Sequence, residues 1–398
     1  MHQQSTTRAL ALPVGPGPAL PPSVVDQAGG RSPLESYVLV VALAVLAAGA
    51  IAAMLRWSPG WRTWQRRAAW SVPVLLVLLT AGAGANSYVG YVRSTDDLQR
   101  LALLVAGGNT GDDSRTVIPA TTGAHDPRDV RIADLSLPAP PLGVPSGRTR
   151  VLLPPGYDLP ENAHRRYPVV YLVHGFPSGG PDDWLSSGGA VQTQQALARA
   201  RAASPVIVVA VDATAGSGAD WECLNVPGGP QLETYLSQYV PQQLAAHFRV
   251  LPDRGNQAIG GMSGGAFCAL NLGLRHQQQY SVILSTEPED DPGPTGAQLL
   301  AGRPGELRAN TPRDYMGTIP IRKPMSIMLH AGVVADSDVD LAHRIADELA
   351  SRGVQAAVRE EPGEWHTWRT ARKALPYLLK FASQHFTGTG HDTPTARK

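Results

Sequence analysis

Hydrophobic positions are distributed along this chain in three different ways. Residues 1–36 are polar and proline-rich with no apolar period, and read as an unstructured N-terminal tail. Two long uncharged runs follow. Residues 37–55 read YVLVVALAVLAAGAIAAML, and residues 68–92 read AAWSVPVLLVLLTAGAGANSYVGYV, ended by Arg93. A hydrocarbon core of roughly 30 Å takes about 20 apolar residues as a helix, and both runs are long enough. Residues 37–92 are therefore expected as a transmembrane hairpin. Residues 93–127, rich in Gly, Thr, Asp and Ser, read as a linker with one short helix at 96–105.

The third pattern fills residues 128–386. Short apolar runs at 149–157, 167–175, 204–213, 257–261, 281–286, 324–332 and 354–362 are expected as strands. YPVVYLVHG (167–175) and SPVIVVAVDA (204–213) are apolar almost throughout, as in strands covered on both faces. Helices are expected over 191–203, 232–248, 266–276 and 341–353, the last stopping on Gly353. Strands alternating with helices predict an α/β domain with a mostly parallel central sheet. Residues 387–398 read as a disordered tail.

Charge decides the orientation of the hairpin. The segment between its runs carries Arg56, Arg62, Arg66 and Arg67 and no acid, with Trp57, Trp61 and Trp64 among them. Positive loops stay in the cytoplasm and tryptophans gather at interfaces, so both hairpin ends and all that follows are expected outside. The expected location is the cell membrane, with the large domain extracytoplasmic. The rival is a late signal peptide, since TAGAGANS (80–87) offers small residues for cleavage. Either way the domain is exported, and an oxidising compartment permits a disulfide between the two cysteines, Cys223 and Cys268. Two isolated buried thiols is the other reading. A net charge of +1 gives no reason to expect a nucleic-acid partner. No zinc-ligand, P-loop or dinucleotide pattern is present, so no metal or cofactor is expected.

The candidate chemistry starts at GGMSGGAF (260–267). Gly261-Met262-Ser263-Gly264-Gly265 is G-x-S-x-G, the spelling of a sharp strand-to-helix turn that exposes a nucleophilic serine. An apolar strand before it and a helical run after it supply the context that the motif needs. A neutral serine requires a base. His366, in the loop after the last expected strand, is the candidate; His276, His330 and His385 read as structural or solvated. The orienting acid is expected between serine and histidine in the chain. Asp336 is preferred as closest to the end of strand 324–332; Asp338 is its rival, and Asp340 reads as the start of the following helix. Capping is the competing role for all three. For the oxyanion, one donor is the backbone N–H of Gly264. The second is expected from HGFPSGG (174–180), where Pro177 has no N–H and Phe176 is the choice. Losing one such donor costs about 2.7–4 kcal/mol of transition-state stabilisation. His174 is expected to hold that loop in shape.

Together YPVVYLVHG, GGMSGGAFCALNLGLRH, LHAGVVAD and PGEWHTWRTARKALPYLLKF resemble the esterase D and mycolyltransferase branch of the α/β-hydrolases, over residues 145–386. The resemblance implies an α/β-hydrolase fold, a Ser263–Asp336–His366 triad, Phe176 and Gly264 as oxyanion donors, and Trp368 packing beside the site. Two features depart from the branch. Some mycolyltransferases carry an acid where His174 stands, which leans this chain toward the esterases. Residues 287–310 extend a usually simpler loop, as a lid or as a solvated surface segment. The expected function is a membrane-anchored extracytoplasmic serine esterase acting on an acyl ester, with a cell-envelope lipid or glycolipid as the candidate substrate. The alternatives are an acyltransferase that moves the acyl chain to a sugar or lipid hydroxyl, and a non-catalytic envelope binding protein on the same scaffold.

Overall fold

The apolar runs become the interior strands of a single eight-stranded sheet. The computed structural model describes residues 17–105, 126–176 and 179–388. Its strands are β1 (Arg131–Ser136), β2 (Arg148–Leu153), β3 (Val169–Val173), β4 (Ile207–Val211), β5 (Gln257–Met262), β6 (Val282–Thr286), β7 (Ser326–Gly332) and β8 (Ala356–Glu361). They lie in the order β1-β2-β4-β3-β5-β6-β7-β8. The first two pairings are antiparallel and the other five are parallel. Every residue of β3, β4, β5 and β6 is buried, which is why those strands carry no polar alternation to read. β1 escapes the sequence reading for the opposite reason. It is a half-exposed edge strand, RIADLS, with no continuous apolar run.

The pleat sends alternate residues to two cores. Val151, Tyr171, Val173, Val209 and Ile259 face one side with the helices Gly264–Arg275 and Asp336–Ser351. Leu152, Val170, Leu172, Val208 and Leu284 face the other, against Ala190–Arg199 and Trp368–His385. Each fully buried side chain of this size contributes about 1.5–3 kcal/mol. Cys223 and Cys268 are bonded, 45 residues apart, which pins the loop after β4 to the helix behind Ser263. Residues 287–310 form helices Gly293–Leu299 and Pro304–Ala309, and the second of these lies exposed on the surface.

The hairpin is present as helices Tyr37–Trp57 and Thr63–Val89, with Thr95–Val105 following as a short helix. The N-terminal segment differs from expectation. Residues 17–36 are not an unstructured tail. Helix Pro22–Gly29 buries Val24 and Ala28 in the core on the side of Trp368–His385. Glu35, just before the hairpin, has 0% exposure and pairs with the buried Arg372 at 2.8 Å. Local composition cannot reveal this, since the surfaces that cover the helix, Ala190–Arg199 and Trp368–His385, lie far away in the chain. Thr387 and Gly388, assigned to the tail, are hydrogen-bonded to Gly255 and Asn256. Residues 1–16, the centre of the expected linker at 106–125, and the tail from 389 lie outside the described residues.

Candidate active site

β5 is nearly all backbone at its end, and that determines how the serine is presented. Ser263 sits between β5 and helix Gly264–Arg275 with φ 57° and ψ −126°, a conformation that side-chain-bearing residues rarely adopt. Glycines make the turn possible. A Cβ on Gly261 would collide with the Gly265 backbone, and one on Gly265 with the carbonyl oxygen of Val173. Close approach of strand, turn and helix therefore requires glycine at both places. The Gly264 N–H opens the helix and so has no acceptor within it. The helix also places its positive dipole end under the serine.

Phe176, three residues past β3, packs its ring against Gly264: a Cβ on Gly264 would stand 3.2 Å from Phe176 Cδ2. The structure thus brings together the two residues expected around an oxyanion. Pro177 and Ser178 lie outside the described residues. His174 is fully buried. Its Nδ1 donates to the Gly175 carbonyl at 3.0 Å and its Nε2 accepts the Ala213 N–H at 3.2 Å, which ties the loop after β3 to the end of β4.

Two and three strands along the sheet from β5, the chain supplies a carboxylate after β7 and an imidazole after β8. His366 lies between β8 and helix Trp368–His385, and its Nδ1 donates to Asp338 Oδ2 at 2.7 Å. The partner is Asp338, and this corrects the preference for Asp336. Both residues sit in the first turn of helix Asp336–Ser351. Two positions on an α-helix are about 200° apart around its axis, so the pair points to opposite sides. Asp336 is exposed, and Asp338 takes the inward position. Proximity to the strand end misleads because the backbone makes a further turn through Val333–Ala335 before the helix begins. Burial pushes the Asp338 carboxyl up, but the hydrogen bond from His366 and the neighbouring Glu287 outweigh it and hold it below the usual carboxylate range. Two backbone bonds lock the loops together, from Val333 N–H to Glu361 and from Val334 N–H to Glu364.

The Ser263 hydroxyl donates to Glu289 Oε1 at 3.1 Å. Glu289 belongs to EPEDD, the charged run directly after β6. It helps to wall a cavity of about 500 Å³ whose lining includes Phe176, Glu222, Ser263, Gly264 and Arg313. Burial raises the Glu289 carboxyl, against the pull of Ser263 and His366. Burial first and Asp220 second push Glu222 up to about 9. Arg313 is held by Asp290 at 2.6 Å. None of these acids follows from the sequence motifs. The available signal was an acidic run directly after an apolar strand, beside the strand that carries the serine. Among the described residues, one trio has donor atoms within 4.8 Å of one another, Glu287, Asp338 and His366. The Asp338–His366 hydrogen bond accounts for two of its members.

A family model described as "Putative esterase" matches residues 146–377. An uncharacterized protein of Corynebacterium glutamicum is 32% identical over 169 residues, 41% of this chain and 39% of that protein, so the match spans about two fifths of the relative's length. Among solved structures, a ferulic acid esterase superposes with a TM-score of 0.56 at 22% identity, over 65% of this chain and 99% of that one. An S-formylglutathione hydrolase from Agrobacterium tumefaciens gives 0.55 at 17% identity, over 68% and 99%. At these identities the two structures speak for the α/β-hydrolase fold.

Proposed function

The chain belongs to the putative esterase family, and from that premise we propose that it is a membrane-anchored serine esterase whose catalytic domain faces away from the cytoplasm. Ser263 Oγ attacks an ester carbonyl carbon. His366 takes the serine proton as the C–O bond forms, and then gives it to the departing alcohol as the ester bond breaks. Asp338 orients His366 through Nδ1 and stabilises the imidazolium. The Gly264 and Phe176 N–H groups receive the oxyanion. Water, deprotonated by His366, then releases the acid and restores Ser263. The incoming ester displaces Glu289 from the hydroxyl, so that Oγ turns to His366. The observation that carries this reading is the serine held at φ 57° over a helix N-terminus, with the 2.7 Å imidazole–carboxylate pair after β8 and β7.

Two observations support the anchor. The most apolar windows of the hairpin helices are only 11% and 6% buried, so these are not core helices of the domain. The segment before the first helix is bound into the domain through Glu35 and Arg372, and loss of a cleaved leader would leave that arginine buried without its acid. A second reading has its own support. Glu222 and Glu289 offer acceptors to hydroxyl groups in the cavity, which fits transfer of the acyl group to a sugar hydroxyl in place of water.

The test is covalent labelling of the full-length protein with a fluorophosphonate. Wild type should label and Ser263→Ala should not, with hydrolysis of p-nitrophenyl esters falling by several orders of magnitude in the variant. Absence of labelling in wild type would leave a binding protein on a hydrolase scaffold. Hydrolysis measured with and without an added sugar acceptor separates esterase from transferase.

A further inference from the structure

Behind the His366–Asp338 pair stands an acid that the proposed mechanism does not use. Glu287 is the first residue after β6, the strand next to the one that carries Ser263. Its backbone is at φ 52°, so two side-chain-bearing residues at adjacent strand ends, Ser263 and Glu287, both hold a left-handed conformation. Positive φ in such residues clusters at functional sites and persists only where the surroundings enforce it. Here the enforcement is visible, since the Glu287 N–H donates to the His330 carbonyl at 2.8 Å. The side chain has 0% exposure. Neither carboxyl oxygen meets a hydrogen-bond partner of standard geometry, an unusual state for a buried acid. Its Oε2 lies 3.9 Å from His366 Nδ1. One of its oxygens, one oxygen of Asp338 and one nitrogen of His366 lie within 4.8 Å of one another.

We propose that Glu287 is a positioning residue for the triad: held as the neutral acid, it donates its O–H to the Asp338 carboxylate and keeps that carboxylate aimed at His366. This rests on the reading of Ser263, Asp338 and His366 given above. The chemistry leaves little choice. Two carboxylates this close in a buried site cannot both be ionised, and the one with no access to water keeps the proton. Burial first, and the neighbouring Asp338 second, push Glu287 up to about 10, so it is protonated at neutral pH. The groups facing it come from three elements. Asp338 comes from the helix after β7, and His366 from the loop after β8. From helix Trp368–His385 comes the Thr370 side chain, which pulls the Glu287 carboxyl downward without overcoming its burial.

The proton has a definite effect at the imidazole. A donor on the far side of Asp338 withdraws part of its negative charge and fixes its rotamer. Removing that donor makes Asp338 a stronger acceptor toward the His366 N–H and moves the acidic limb of the pH profile upward. Ionising Glu287 at high pH replaces a donor by a repelling charge, and activity falls.

The experiment is the pH dependence of kcat/KM for p-nitrophenyl acetate, with the rate of fluorophosphonate labelling in parallel, on full-length protein in detergent. In Glu287→Gln, whose amide N–H still donates, kcat/KM near pH 8 should stay within about threefold of wild type. The fall that wild type shows toward pH 10 should be absent. In Glu287→Leu, which cannot donate, kcat/KM should fall about 10- to 100-fold, with the acidic limb displaced upward by at least half a pH unit. A Leu variant that folds and keeps both rate and limb overturns the proposal. So does a Gln variant whose profile superimposes on wild type up to pH 11, and that arm decides alone if the Leu variant does not fold. Ser263→Ala and Asp338→Ala run alongside. If these remain active, the reading of the site has failed; if they are inactive while the Glu287 profiles do not move, only the role of Glu287 has.

Discussion

The choice between Asp336 and Asp338 shows how a two-residue difference becomes a functional one. Replacing Asp338 by Ala removes the partner of His366 Nδ1, and kcat should fall by roughly three to four orders of magnitude, the scale seen when an orienting acid is lost from such a site. Asp336→Ala removes an exposed carboxylate in the first helical turn, and activity should change by less than about threefold. Measuring kcat and KM for both variants decides the matter, and the opposite ranking would return the role to Asp336. The serine, the histidine and both proposed oxyanion positions could be read as candidates because each stands at a recognisable junction of strand, loop and helix. The acid could not, because its side depends on where a helix begins, and helix boundaries are the part of a pattern that shifts by a residue or two. Glu287 and Glu289 were harder still. Their importance lies in which strand ends are neighbours in the sheet, and β5–β6 adjacency is not encoded by either segment alone.

At the scale of elements, the parallel core was legible for a physical reason. Strands buried on both faces must be apolar throughout, and β3 through β7 meet that condition in almost every residue. The loop after β4 is different. It contains Ala215, Glu222 and Cys223, all at positive φ without being glycine, yet it supplies Glu222 to the cavity. Such a loop needs external restraint, and the bond from Cys223 to Cys268 provides it by tying the loop to the helix that begins at the nucleophile. Closing a span of 45 residues in the unfolded chain is worth about 4 kcal/mol in the chain-entropy account. Replacing both cysteines by Ser should lower the stability of the domain by an amount of that order, read as a drop in the denaturant midpoint. It should also lower kcat/KM, since the Glu222 wall of the cavity loses its anchor. Equal midpoints for the variant and wild type would mean that the bond adds nothing beyond the packing around it.

Across the whole molecule, the two-helix hairpin and the sheet domain are joined by chain segments from both sides of the hairpin, and the join is electrostatic at its centre. Arg372, on the helix Trp368–His385, is 1% exposed and pairs with Glu35 at 2.8 Å. The same guanidinium donates to the carbonyls of Ala28, Gly90 and Ser187, which come from the segment before the hairpin, the turn after it and the catalytic domain. Glu35 in turn accepts from the Ser32 N–H at 2.7 Å and lies 3.5 Å from Arg93. Tyr88, near the end of the second hairpin helix, packs on Trp365, the residue before His366, with ring centroids 5.9 Å apart. The join therefore fixes the His366 loop beside the base of the hairpin; on the proposed membrane-anchored reading, an ester held in a bilayer would arrive there. Burial pushes Arg372 down to about 10, which still leaves it charged at neutral pH and dependent on its acid. Glu35→Ala removes that acid and strands a buried cation, a change that costs about 3–5 kcal/mol. The expected outcome is faster hydrogen exchange in residues 17–36 and around Arg372, together with loss of activity toward esters presented in lipid vesicles. Activity toward a soluble p-nitrophenyl ester should persist, because the triad is built from other elements. The double variant Glu35→Leu, Arg372→Leu removes both charges and should recover much of the lost stability. If Glu35→Ala instead leaves hydrogen exchange unchanged, the hairpin is held by its apolar contacts alone and the buried pair does not set the position of the site relative to the hairpin.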